Sequence, residues 1–266
     1  MRALRTAAAA VAVAVLLGGT AGCSERHRER TPVEAFQAAA KVMEAAGAAS
    51  IALERHDPDQ GPSTGSGVLS WGSRPAMDVA LHGGSGELRV RTLDGVVYLG
   101  TDAAEAARRG GLPWTKYDPE VLPGRTDPAA VYSTWSEQLN PASDLAALAR
   151  VGTLRRVGEE RLEATDTVHY RGAAATGALV GASGALTAAQ RAAVLAAYRE
   201  LGVTSITADI WINDRDEVVQ ERRTCRSASG DATTTTRYSR IGAEVDIQAP
   251  LPEETFDLSG TAEATG

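Results

Sequence analysis

Aromatic side chains are scarce in this chain: two Phe, six Tyr and four Trp make up 5% of 266 residues. An interior built with so few rings has to rely on aliphatics and alanine. Cysteine is scarcer still, with only Cys23 and Cys225. Two cysteines are too few for a disulfide framework and, beside four scattered histidines, too few for a structural zinc site. Basic charge is in deficit, with 27 Lys and Arg against 34 Asp and Glu and a net charge of −7. That balance excludes the basic face a nucleic-acid binder needs to neutralise phosphates.

Recognisable catalytic motifs are missing as well. Gly83-Gly84-Ser85-Gly86-Glu87 and Gly181-Ala182-Ser183-Gly184-Ala185 each fail the hydrolase G-x-S-x-G pattern at its last position. There is no H-E-x-x-H, no Walker loop and no G-x-G-x-x-G after a strand. The acidic turns Asp57–Gly61 and Asn213–Glu217 lack the ligand set of an EF-hand. His56, His82 and His169 stand singly; His169 alternates with Val168 and Tyr170 and reads as an outward or packed strand side chain. The chain therefore reads as a binding protein, not an enzyme, with no cofactor and no metal.

What is present begins at the N-terminus. Arg2 and Arg5 precede an apolar run from Ala7 to Leu17, and the small residues Gly18–Gly22 follow. This is a signal-peptide pattern, and the run is too short to cross a bilayer. Thr20-Ala21-Gly22-Cys23 matches a bacterial lipobox, with Thr where Leu is usual. Residues 1–22 are thus expected to be a leader, with Cys23 acylated as the mature N-terminus. Several acyl chains at about 0.8 kcal/mol per buried CH₂ anchor a protein stably. Residues 23–30, including Arg26, Arg28 and Arg30, form a polar tether. The expected location is the extracytoplasmic face of the cell membrane. The other reading is an ordinary secreted protein with an incidental Cys23. Cys225 then has no thiol partner and reads as buried and inert, or as activated by its neighbouring arginines.

Residues 31–257 read as one domain, followed by a polar, disordered tail over 258–266. Thr31-Pro32-Val33-Glu34 is a capping box with proline at the first helical position, and Val33, Phe36, Ala40 and Met43 form one apolar stripe ended by Gly47. From Ala48 the period changes to two. Strands are expected from Ile51, over Gly67–Trp71, Ala76–Leu81 and Glu87–Leu93, and after the Asp94-Gly95 hairpin signal. Leu112–Tyr117 is a short extended piece after a charged loop, Asp127-Pro128 opens a helix carrying Val131, Trp135 and Leu139, and Asn140-Pro141 starts another. Strands resume at Leu154–Leu162 and Thr167–Arg171. Gly172–Leu186, nearly all small residues, reads as a mobile flap or a loose connection. Thr187–Gln190 is a second capping box, with Val194, Leu195, Tyr198 and Leu201 as its stripe. Strands at Val203–Ile212, Glu217–Arg226, Thr233–Ser239 and Ala243–Ile247 complete an α+β chain of about 11 strands and three or four helices.

The order of these features resembles a known family. It runs through the lipobox, the capped first helix, Asp94-Gly95-Val96-Val97-Tyr98, Trp114, Asn140-Pro141, Val157-Gly158-Glu159-Glu160 and Val168-His169-Tyr170. It closes with the capped helix at Thr187, Asp209–Asp214, Tyr238-Ser239 and Ala249-Pro250. The chain is similar to the LppX/LprG-type lipoproteins of actinobacteria, which share a half-barrel with the LolA/LolB lipoprotein carriers. The resemblance implies a strongly curved antiparallel β half-barrel with helices on its concave side, enclosing an apolar cavity for acyl chains. The candidate cavity residues are Met77, Val79, Leu81, Leu88, Val90, Ile206, Ile210 and Ile212, aliphatics on one strand face each. The expected partners are acyl chains of lipids or lipoglycans, taken up without chemistry, and the membrane through the N-terminal anchor. The alternative is that these aliphatics close a dry core, and that the domain is an envelope lipoprotein that docks a protein partner.

Overall fold

The computed structural model describes residues 30–84, 86–122 and 132–259. Cys23, the leader, most of the tether, the helix start at Asp127 and the end of the tail lie outside the described residues.

Helix α1, Pro32–Ala46, starts as its sequence dictates. The Thr31 hydroxyl accepts from the Glu34 amide, the Glu34 carboxylate accepts from the Thr31 amide at 2.8 Å, and Gly47 ends the helix in the left-handed region at φ 69°. Strands β1 (Ala48–Asp57), β2 (Gly61–Ser70), β3 (Ala76–Gly83), β4 (Gly86–Leu93), β5 (Val96–Gly100) and β6 (Trp114–Tyr117) follow, with helix α2 (Ala103–Arg108) between the last two. Then come α3 (Trp135–Gln138), α4 (Pro141–Val151), β7 (Thr153–Leu162), β8 (Thr165–Ala175), α5 (Thr176–Ala182) and α6 (Ala188–Glu200). Strands β9 (Ser205–Asn213), β10 (Val218–Ser227), β11 (Gly230–Ser239) and β12 (Thr255–Asp257) close the chain.

All 12 strands form one sheet in the order β12-β6-β5-β4-β3-β2-β1-β11-β10-β9-β8-β7. Every pairing is antiparallel except β12 on β6. Two runs of antiparallel strands that neighbour one another in chain order, β1–β6 and β7–β11, are joined where β1 pairs with β11. One row of directly opposed residues crosses the sheet as Tyr170, Ile210, Glu221, Thr236, Leu53, Gly65, Leu81 and Leu88. This face packs on the helices: Phe36 meets Tyr170 edge-on at 5.9 Å, and the Trp71 indole donates to the Met43 carbonyl at 2.7 Å. Gly67 is required by close packing within the sheet, because a Cβ there would lie 2.0 Å from the Asp78 carbonyl oxygen.

Several expectations are corrected. The described residues hold 12 strands and six α-helices. Gly172–Leu186 is no flap or loose connection: β8 runs through Ala175 and α5 occupies most of the rest, burying Thr176, Leu179 and Val180. Ala243–Ile247 forms no strand, while Ala103–Arg108 is a helix capped by Asp102. The Thr187 helix forms with both halves of its capping box, yet only Val194 of its stripe is buried and Leu201 is 58% exposed.

Candidate functional site

The partial exposure of α6 has a structural cause. Between α6 and the middle of the sheet lies a cavity of about 350 Å³. Its sheet wall is made by Leu53 and Arg55 of β1, Thr234, Thr236 and Tyr238 of β11, and Glu221, Arg223 and Cys225 of β10. The facing wall is Ala193, Val194, Ala197 and Tyr198 of α6 with Leu201 and Val203, and Trp135, Gln138 and Leu139 at α3 close one side. The rim is formed by Asp57, Pro58 and Asp59 of the β1–β2 turn and by Ser227 and Ser229 of the β10–β11 turn. The helix wall and Leu53 are apolar, whereas the floor is not.

The charged floor follows from β10. Glu221, Arg223 and Cys225 alternate with Arg222, Thr224 and Arg226, so neither face of this central stretch offers a run of aliphatics. Glu221 and Thr236 interrupt the apolar row that elsewhere meets the helices. Arg223 pairs with Asp144 of α4, and its nearest Glu221 oxygen is 3.4 Å away. Burial pushes the Glu221 carboxyl up to about 7 and pulls the Arg223 guanidinium down. Burial also raises the phenols of Tyr198 and Tyr238 and the thiol of Cys225, which is hydrogen-bonded to Tyr198. Cys225 is a half-buried, weakly acidic thiol on the cavity wall, not an activated nucleophile. Arg55 lies over the Trp135 ring at 5.2 Å and makes no ion pair among the described residues.

The upper end of α6 is fixed. Gln190 donates to the buried Glu137 carboxylate at 3.0 Å, and Arg191 donates to the Ser183 and Leu186 carbonyls. These bonds tie the start of α6 to α3 and to the segment that precedes the helix.

The eight residues expected to line a cavity sit elsewhere. Met77, Val79, Val90, Ile206, Ile210 and Ile212 are buried in the main core with α1 and α4, and Leu81 and Leu88 are partly buried against it. None of them lines the large cavity; Ile206 borders a neighbouring space of about 20 Å³ beside Asp144 and Arg223. The lining that sequence reasoning missed carried one signal: a strand polar at both parities, placed by the topology next to the sheet's middle.

On the opposite face of the sheet, His169 is a packed strand residue with partners on both ring nitrogens. Nδ1 is 2.8 Å from Glu160 and Nε2 is 2.7 Å from Asp209. The ring stacks on Trp211 at 4.4 Å, the Trp211 indole donates to Glu160, and Arg171 donates twice to Asp209.

No protein-family model matches the chain. A 31.2 kDa protein from the rplA–rplJ intergenic region of Streptomyces griseus is 28% identical over 179 residues, 66% of this chain and 58% of that protein. "Putative lipoprotein SCO4650" of Streptomyces coelicolor is 25% identical over 198 residues, 73% of this chain and 60% of that protein. The chain thus spans about three fifths of the length of these relatives. Among solved structures, the Mycobacterium tuberculosis lipoprotein LppX is similar with a TM-score of 0.48 at 10% identity, over 81% of this chain and 97% of that one. LprF from Mycobacterium bovis is similar at 0.45 and 12% identity, over 82% and 97%. These likenesses concern the fold alone.

Proposed function

We propose that this protein is a membrane-anchored envelope lipoprotein that holds the acyl chain of a lipid or lipoglycan in the cavity under α6, as a carrier or sensor and without chemistry. The observation that carries this reading is the cavity itself. Its volume of about 350 Å³ falls at the lower end of the roughly 300–1,000 Å³ usual for small-molecule sites, and its helix wall is apolar. That space suits one chain better than several.

The position of the mouth supports a carrier. Arg30, where the tether meets the domain, pairs with Asp216 in the β9–β10 turn at 2.7 Å. The rim turns lie at the other end of the same strands, β10 ending at Ser227. Ten residues of strand span roughly 33 Å at about 3.3 Å each. The mouth therefore lies a full strand length from the attachment point, where a lipid can be exchanged with something other than the anchoring leaflet.

The test uses the full chain with Cys23→Ser, so that Cys225 is its only thiol. Saturated amphiphiles of increasing chain length are titrated, and protection of Cys225 from a maleimide is read. Each added methylene should tighten binding about fourfold, from about 0.8 kcal/mol per buried CH₂, until the cavity is filled and the series levels off. Affinity that ignores chain length, or no protection by any chain, overturns the proposal. In the wild-type chain, loss of membrane association on Cys23→Ser tests the anchor separately.

A further inference from the structure

Five charged side chains line the cavity, and four of them have partners. Asp57 accepts from the amides of Asp59 and Gln60 at 2.9 and 3.1 Å, and Asp59 accepts from the Ser229 hydroxyl at 3.2 Å, so both rim carboxylates hold turns together. Deeper in, Arg223 is engaged by Asp144, with Glu221 beside it. Arg55 is different. It projects from the same face of β1 as Leu53, opposite Thr234 of β11, and stacks over Trp135 without an ion pair among the described residues. A guanidinium presents five donors in a planar fork suited to carboxylate and phosphate oxygens, and an aromatic face beneath it fixes that plane. Its place, between the rim and the apolar helix wall, is where the polar end of an inserted chain would lie.

We propose that Arg55, positioned by Trp135, is the head-group site of the cavity, and that the ligand is a single-chain amphiphile with an anionic head. This rests on the acyl-chain reading above and adds the charge of the ligand to it. The apolar wall takes the chain, and the two oxygens of a carboxylate or phosphate take the guanidinium fork. A neutral head of the same chain length finds no equivalent partner and leaves the Arg55 donors to water.

The experiment displaces a neutral fluorescent probe from the full chain carrying Cys23→Ser, with three ligands of one chain length: palmitate, palmitoyl lysophosphatidate and monopalmitoylglycerol. The expected result is that at least one anionic ligand binds about tenfold or more tightly than the glycerol ester, with a preference that weakens as salt rises. Palmitate ahead identifies a free fatty acid as the class, and lysophosphatidate ahead identifies a phosphate-headed lipid. Arg55→Met should abolish the preference by weakening the anionic ligands far more than the glycerol ester, and Arg55→Lys should retain part of it. Equal binding of charged and neutral ligands by the wild type overturns the head-group proposal and leaves the acyl-chain reading standing, as does an Arg55→Met effect of the same size on all three. Failure of all three to displace the probe overturns both. The wild-type preference alone decides the matter if the variants do not fold.

Discussion

Two charged groups stand back to back across strand β9, built from the same residue types and settled in opposite ways. On the outer face, Asp209 receives hydrogen bonds from Arg171 and from His169, while Glu160 takes the other histidine nitrogen and the Trp211 indole. On the inner face, the neighbours of Asp209 in sequence, Ala208 and Ile210, lie opposite Arg223 and Glu221. The side chains of Asp209 and Glu221 are 9% and 7% exposed, but Glu221 lies deeper in the protein, and the two differ in donors as well. Burial alone would raise the Asp209 carboxyl, but the bonds from Arg171 and His169 outweigh it and hold the acid below its usual range. Glu221 has one long contact, to an arginine already taken by Asp144, and burial pushes it up to about 7. Burial sets the penalty on a charge, and the number of donors decides whether the charge survives. The outer group uses its donors internally and is structural. The inner group is short of donors and open to a cavity.

The comparison is broken most directly by Asp209→Ala. It leaves His169 Nε2 and the Arg171 guanidinium without their acceptor, and should cost about 3 kcal/mol in urea or thermal unfolding at neutral pH. A loss below about 1 kcal/mol would make the outer group equivalent to an ordinary surface pair. Because the folded acid is stronger than the unfolded one, its contribution is complete above the unfolded value of 3.8 and is lost as pH falls through the lower folded value. The wild type and variant should therefore converge in acid.

Next in size is replacement of the inner group as a unit, Asp144→Leu with Glu221→Leu and Arg223→Met. Removing three desolvated charges together should leave stability unchanged or raise it by up to about 2 kcal/mol, since a buried ionic cluster often does no better than apolar residues of similar volume. Arg223→Met alone leaves two buried carboxyls without their cation and should destabilise. A triple variant less stable than the single one would mean that the inner charges hold the fold together as the outer ones do.

How far this contrast was legible in the sequence depends on the range of the interaction. Local signals were read correctly: the Thr31 box and Gly47 stop of α1, the Thr187 box of α6 and the Asp94-Gly95 hairpin all form as their side chains dictate. Each involves residues within a few positions of one another. The pairing of β1 with β11 and the parallel seat of β12 on β6 join segments well over a hundred residues apart, and no local pattern specifies them. Gly172–Leu186 hid the end of β8 and all of α5, because Gly, Ala, Ser and Thr produce almost no hydrophobic period. The site was missed for a related reason. Aliphatic faces such as Met77, Val79 and Val90 mark where the core closes, while Glu221-Arg222-Arg223-Thr224-Cys225 marks where it does not. That polar run becomes informative only once β10 is known to be a central strand. His169 was read as an outward or packed strand side chain, but its partners Glu160 and Asp209 come from two different strands.

A third test sharpens the comparison most, because it is a matter of sign. The Glu221 carboxyl titrates near 7 in the folded chain against a reference value of 4.5. Between those values the folded state keeps a proton that the unfolded state has lost, so Glu221 makes the protein less stable as pH rises through the window and contributes no further change above it. Glu221→Gln removes that titration. Its stability relative to wild type should improve from about pH 4.5 to about pH 7 and then stay level. Asp209→Asn, measured alongside, should show the reverse: a deficit that is constant at neutral pH and disappears only in acid. If the Glu221→Gln difference is flat across the same range, Glu221 is ionised and held by Arg223 throughout. The floor of the cavity would then be a settled ion cluster like the one behind it, and charge discrimination by the cavity would fall to Arg55 alone.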